Sequence, residues 1–179
     1  TGIETNAVNS QAQIFITNAL PPGTTEIPAE LENQAKTQAL QVLINQEILY
    51  QTATNSGLSV SDEELQTQMD AIIARFPSQE EYQAALDTDG LTEDMLRQDI
   101  ARQLIVQKYV DSVVDISNIS STEEEIQDLY DQYAEAQENM PELEEIKTQL
   151  ETELNQNKFN AQIAAIIEQL LAEANLEIL

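Results

Sequence analysis

A chain of 179 residues is long enough to bury one core and to form one domain. Its 33 acids face only 7 bases, a net charge of −26, so it lacks the cationic footprint that nucleic acid or an anionic lipid surface requires. It has neither histidine nor cysteine, which removes histidine-based triads, thiol nucleophiles, disulfides and typical zinc sites.

The acidity reads first as a means of staying soluble, or as adaptation to salty surroundings that screen self-repulsion, and only second as recognition of a basic partner. Aromatics make up 4% of the chain, so the core must be built from Leu, Ile, Val and Ala. Four glycines and five prolines favour long regular elements. No apolar run approaches the roughly 20 residues that cross a bilayer, so no membrane insertion is expected. No basic-then-apolar leader opens the chain, which reads as a mature or trimmed form.

In chain order, Ala7-Val8 and Ile14-Phe15-Ile16 are β-prone, as is Leu176 to Leu179 at the other end. A lone short strand is unstable in water, so the two termini are expected to pair as a small β unit. Residues 17–27, with Pro21-Pro22-Gly23, read as a connector. Helical spacing then takes over. Residues 28–56 carry Leu31, Ala35, Ala39, Leu43, Tyr50 and Ala53, with Leu40, Ile44 and Ile48 alongside. Residues 62–75 carry Leu65, Met69, Ile72 and Ile73, and Pro77 stops any extension. A short helix at 79–87 has Tyr82, Ala85 and Leu86, and 93–114 has Leu96, Ile100, Leu104, Val110, Val113 and Val114. Residues 122–138 offer Ile126, Leu129, Tyr130 and Tyr133. The last helix, 141–174, would be about 50 Å long at 1.5 Å per residue. It must brace other helices along its length or project as an arm.

Start and stop signals frame these segments. Ser61 with Glu64, Ser78 with Glu81 and Ser121 with Glu124 each read as a capping box, and Thr92 as a plain cap. Pro28 and Pro141 suit first-turn positions. Gly57 and Gly90 suit helix stops. No internal repeat is found.

Candidate chemistry fails residue by residue. Aligned on Gly90 as the turn glycine of a calcium loop, Asp87-Thr88-Asp89-Gly90 puts Ala85 at the first ligand and Leu96 at the last, so it reads as a helix stop. The clusters Asp62-Glu63-Glu64, Glu123-Glu124-Glu125 and Glu142-Glu144-Glu145 lie in first turns, where negative charge complements the helix dipole. They are read as caps rather than as catalytic carboxylate pairs. Tyr130 and Tyr133 read as packing. No catalytic residue, cofactor or metal is expected.

The order of motifs is more specific. Leu43-Ile44, Glu47, Leu49, Ala53 and Gly57 lead into "VSDEEL" at 60–65. Tyr82, Leu86, Gly90-Leu91-Thr92-Glu93, Leu96-Arg97, Ile100 and Gln103-Leu104 follow, and then "ISSTEEEIQDLYDQY". This succession resembles the N-terminal region of the SurA/PrsA group of periplasmic or secreted chaperones. Ala7-Val8-Asn9 is similar to that family's first strand, although Ser10 stands where glycine is usual, and "LLAEANLEIL" is like its closing helix and strand. The likeness spans most of the chain and is strongest over 39–133.

What the resemblance implies is a mainly α, multi-helix chaperone domain over 1–179: a strand and linker at 1–27, a helical core at 28–138, and a long closing helix and strand at 141–179. In full-length members a parvulin-type prolyl isomerase domain precedes the closing helix. Here Glu138 to Pro141 joins the helices directly, so isomerase activity is not carried over, whether the domain is naturally missing or was removed.

The implied function is ATP-independent holding of unfolded or nascent secreted and outer-membrane polypeptides, in the periplasm or outside the cell. The expected client groove is Met69, Ile72, Ile73, Phe76, Tyr82, Met95 and Phe159, apolar residues beside the Pro77 break or on short helices. The competing reading is a dedicated assembly or scaffold subunit, including a homodimer that swaps 141–179 between chains.

Overall fold

The computed structural model describes residues 3, 5–21, 24, 26–136 and 140–174. Seven α-helices occur among them: α1 Thr5–Ala19, α2 Ala29–Asn55, α3 Asp62–Ile73, α4 Gln79–Asp89, α5 Glu93–Val113, α6 Glu123–Ala136 and α7 Leu143–Glu173. A single 3₁₀ turn, Ile116–Asn118, lies between α5 and α6.

The main departure from expectation is at the N-terminus. The stretch expected as the first strand is helix α1, and no strand occurs among the described residues. Its supposed partner, 176–179, lies outside them. The cause is visible in the packing. Val8, Ala12, Phe15, Ile16 and Leu20 recur at helical intervals, and Ala12 and Ile16 close onto Ala35 and Ala39 of α2 as one buried cluster. Alanine on both helices lets their backbones approach closely, so a weakly β-prone sequence gains more by coiling against α2 than by extending.

Helix α2 is the axis of the molecule, packed by α1, α5 and α7; α3 packs on α5, and α6 on α7. The long α7 therefore braces two helices along its length.

Local caps fix most boundaries. Ser61 and Glu64 form the full capping box. Ser78 Oγ accepts from the Glu81 amide at 3.2 Å, and Thr92 Oγ1 from the Met95 amide at 3.2 Å. The box before α6 closes one residue later than expected: the Glu125 amide donates to Thr122 Oγ1 and the Thr122 amide to the Glu125 carboxylate. Pro28 is the N-cap of α2, and Pro141 precedes Glu142, the N-cap of α7. Gly90, at φ +68°, ends α4, and the Leu91 amide reaches back to the Leu86 carbonyl at 2.9 Å.

The helices form an open body. A compact protein of 20.0 kDa exposes about 8,700 Å², whereas this chain exposes 12746 Å². Among the described residues the buried set is small and contains no charged group, and α7 contributes only Leu150 to it. Most other apolar residues of α7, from Leu143 to Leu171, are only partly covered.

Candidate binding surface

Helix α3 places Met69 inward, fully buried, and leaves Ile72 and Ile73 half-buried at its end. Two tight turns follow, from the Arg75 amide to Ile72 O at 3.1 Å and from the Phe76 amide to Ile73 O at 3.0 Å. Pro77 then forces the break and Ser78 starts α4. This corner sets the Phe76 ring edge-on to Tyr82, with centroids 5.5 Å apart and planes at 63°, a favourable aromatic geometry. Tyr82 is 1% exposed. On α5, Met95 stands out at 46% exposure.

The expected groove therefore divides. Met69 and Tyr82 are core in this conformation and present no side-chain surface to a partner. Of the expected residues on or beside α3, α4 and α5, Ile72, Ile73 and Phe76 stay partly accessible and Met95 exposed. Phe159 is half-buried on α7, next to Lys158, whose ammonium is bound to the start of α6.

Exposed apolar residues that the sequence reading passed over include Ile116 at 64% and its neighbour Val113 at 42%, at the junction leaving α5. The available signal was the run Val113-Val114-Asp115-Ile116, of which Val114 alone is buried.

The Tyr82 hydroxyl is buried yet has no hydrogen-bond partner among the described residues. Burial pushes its pKa up, the Glu93 carboxylate adds to the rise, and Arg97 opposes it. A buried hydroxyl left unsatisfied costs roughly 1–3 kcal/mol.

Cations are few, and most are committed inside the fold. Arg102 of α5 pairs with Glu47 of α2 and lies 4.0 Å above the Tyr50 ring. Arg97 donates to Gln66 of α3 at 2.9 Å. Lys108 of α5 holds the start of α3, donating to Ser59 O at 2.9 Å and to the Glu64 carboxylate at 2.8 Å. Lys158 of α7 holds the start of α6 in the same way, through Ser120 O and the Glu125 carboxylate, both at 2.7 Å.

In each case the lysine takes the carbonyl two residues before the cap and the glutamate three after it. The sequence reading found no internal repeat, but this arrangement is built twice, on Ser59-Val60-Ser61-Asp62-Glu63-Glu64 and Ser120-Ser121-Thr122-Glu123-Glu124-Glu125. The hydrogen bond from Lys108, with those from Ser61, holds the Glu64 carboxyl down at about 2. Lys158 and Thr122 likewise lower that of Glu125. Among the described residues no group of acids is arranged to hold a metal ion, and no helix is long and apolar enough to cross a membrane.

Compared with known proteins, residues 5–110 match the profile of the SurA-like N-terminal domain. The chain belongs to this SurA-like family. Over 82 residues it is 34% identical to the chaperone SurA of Pseudomonas aeruginosa, a match covering 45% of this chain and 20% of that protein. Over 110 residues it is 27% identical to the chaperone SurA of Chromohalobacter salexigens, covering 61% of this chain and 25% of that protein. The chain thus spans a quarter or less of these curated relatives. No solved structure matches it. The SurA-like match runs from α1 to near the end of α5 and so includes the whole α3–α4–α5 surface. Between α6 and α7 only residues 137–142 intervene, which leaves no room there for a further domain.

Proposed function

We propose that this chain holds unfolded or extended polypeptides outside the cytoplasm, without ATP and without isomerase activity. The observation that carries the reading is the open fold: 12746 Å² of accessible surface over helices whose apolar side chains are mostly only half covered. A holding surface needs apolar groups that are accessible yet separated by polar ones, so that it grips many sequences weakly and does not collapse on itself.

Membership of the SurA-like family supports a chaperone role, with secreted or outer-membrane polypeptides in transit as clients and the periplasm as the place. The chain contains no histidine, so the histidines of parvulin-type isomerases have no counterpart. The gripping residues are Ile72, Ile73, Phe76 and Met95, with Phe159 as a separate contact on α7.

The test is suppression of aggregation of a chemically unfolded client, read by light scattering. An Ile73→Asp, Phe76→Asp double variant and, separately, Met95→Asp lose suppression while keeping the parental helical circular dichroism. A folded double variant that protects as well as the parent refutes this surface.

A scaffold or self-associating module is the second reading. It is favoured by one observation: Ile163, Ile166, Ile167, Leu170 and Leu171 follow helical spacing on α7, yet none is fully buried. Sedimentation separates the two readings, because a stable dimer with no protection of unrelated clients favours the scaffold.

A further inference from the structure

We propose that the α3–α4–α5 surface selects extended segments that combine apolar side chains with net positive charge. This rests on the holding function above and names its preferred client class.

The first observation is where the cations go. Lys36, Arg97, Arg102, Lys108, Lys147 and Lys158 each form an intramolecular ion pair. Arg75 is the one cation with no such pair among the described residues. With so few positive charges left over, the field at the surface of a chain of net charge −26 is set by carboxylates that no cation answers.

The second observation is where those carboxylates sit. Asp94 and Asp99 lie on the same helix as the exposed Met95, one and four residues away. Glu80 and Glu81 open α4 just beyond Phe76, and Asp70 lies on α3 three residues before Ile73. All five are exposed. The accessible apolar residues of this surface are thus bordered by negative charge on each of the three helices that build it. An anionic segment reaching Phe76 or Met95 meets repulsion, whereas a cationic one exchanges solvent counterions for these carboxylates. A second copy of the chain, equally acidic, is disfavoured by the same field.

The third observation is Arg75 itself. It is exposed, immediately precedes Phe76, and has no ion-pair partner among the described residues, so its charge can be reversed without breaking a described ion pair.

The experiment uses fluorescence anisotropy on the intact chain with three short labelled peptides. They share the same apolar residues and carry lysines, glutamates or glutamines at the intervening positions. At about 0.1 M salt, where screening acts over roughly 10 Å, the lysine peptide is expected to bind at least tenfold more tightly than the glutamate peptide. At about 1 M salt, where the range falls to roughly 3 Å, the difference collapses. Arg75→Glu is expected to strengthen lysine-peptide binding and Asp94→Asn with Asp99→Asn to weaken it. The gain in Arg75→Glu cannot be produced by misfolding.

Equal binding of the lysine and glutamate peptides overturns the charge preference and leaves the holding function standing, with acidity serving dispersal only. A lysine preference unmoved by Arg75→Glu overturns its placement on this surface. Failure of all three peptides, together with failure to suppress aggregation, refutes the holding function itself.

Discussion

Replacing Tyr82 by phenylalanine should stabilise the protein, the reverse of the usual outcome for a buried tyrosine. Ordinarily the change removes a hydrogen bond and strands its partner, at a cost of about 1 kcal/mol or more. Here the hydroxyl is buried with no partner among the described residues, in a residue only 1% exposed. Phenylalanine keeps the edge-on contact with Phe76 and removes the unsatisfied group. Recovering even the lower part of the desolvation penalty gives about 1 kcal/mol of added stability. For a domain of this size that corresponds to a rise in Tm of roughly 2–4 °C. Tyr82→Ala is the control: it deletes the ring from the core and should cost about 3–5 kcal/mol. Urea unfolding followed by circular dichroism, with calorimetry for Tm, measures both. If Tyr82→Phe is destabilised by more than about 1 kcal/mol with an unchanged m-value, the hydroxyl has a partner in solution and the reasoning fails.

Two further predictions concern the helix starts and the seam between α1 and α2. Glu64 is depressed to about 2 from a usual value of 4.5, so its contribution is present above pH 4.5 and is lost as the pH falls toward 2. Glu64→Gln should therefore unfold at a lower temperature than the parent at neutral pH, with the two melting curves converging across that window. A constant difference at all pH values removes the ion pair as its cause. Ala39, 0% exposed between α1 and α2, should not accept leucine: overpacking costs roughly 1–3 kcal/mol and exposes the amides of α1 to hydrogen exchange before those of α2. Unchanged exchange in α1 would mean that it does not pack on α2 as described.

Much of the architecture was legible because its determinants are local. Ser61 with Glu64, Thr92, the Pro77 break and Gly90 act within a few residues of themselves, and the helices they bound lie within about two residues of expectation. The misplaced box before α6 is instructive. Ser121 and Thr122 are both competent caps, and the choice falls to Thr122, whose partner Glu125 is the one held by Lys158 from 33 residues away. Residue type alone cannot rank two adjacent hydroxyls when a distant ammonium decides between them.

The candidate site was legible only as a list of apolar residues near a helix break. Met69 and Met95 are the same side chain, each on a helix, yet one is fully buried and the other half exposed, because burial depends on which neighbouring helix covers each position. The segment 5–19 shows the same limit from the other side: its short apolar runs fit strand or helix equally, and Ala35 and Ala39 of α2 settle the matter by offering a close helical seat. Composition, by contrast, needed no tertiary help. A chain without histidine or cysteine cannot build a histidine triad or a thiolate site whatever its fold. Thus the amino-acid order alone determined the helices after the first and most of their ends, all properties of neighbours along the chain. Which apolar residues stay in water, and which carboxylates stay unpaired beside them, depended on contacts between segments far apart in sequence, and only the packed helices could decide that.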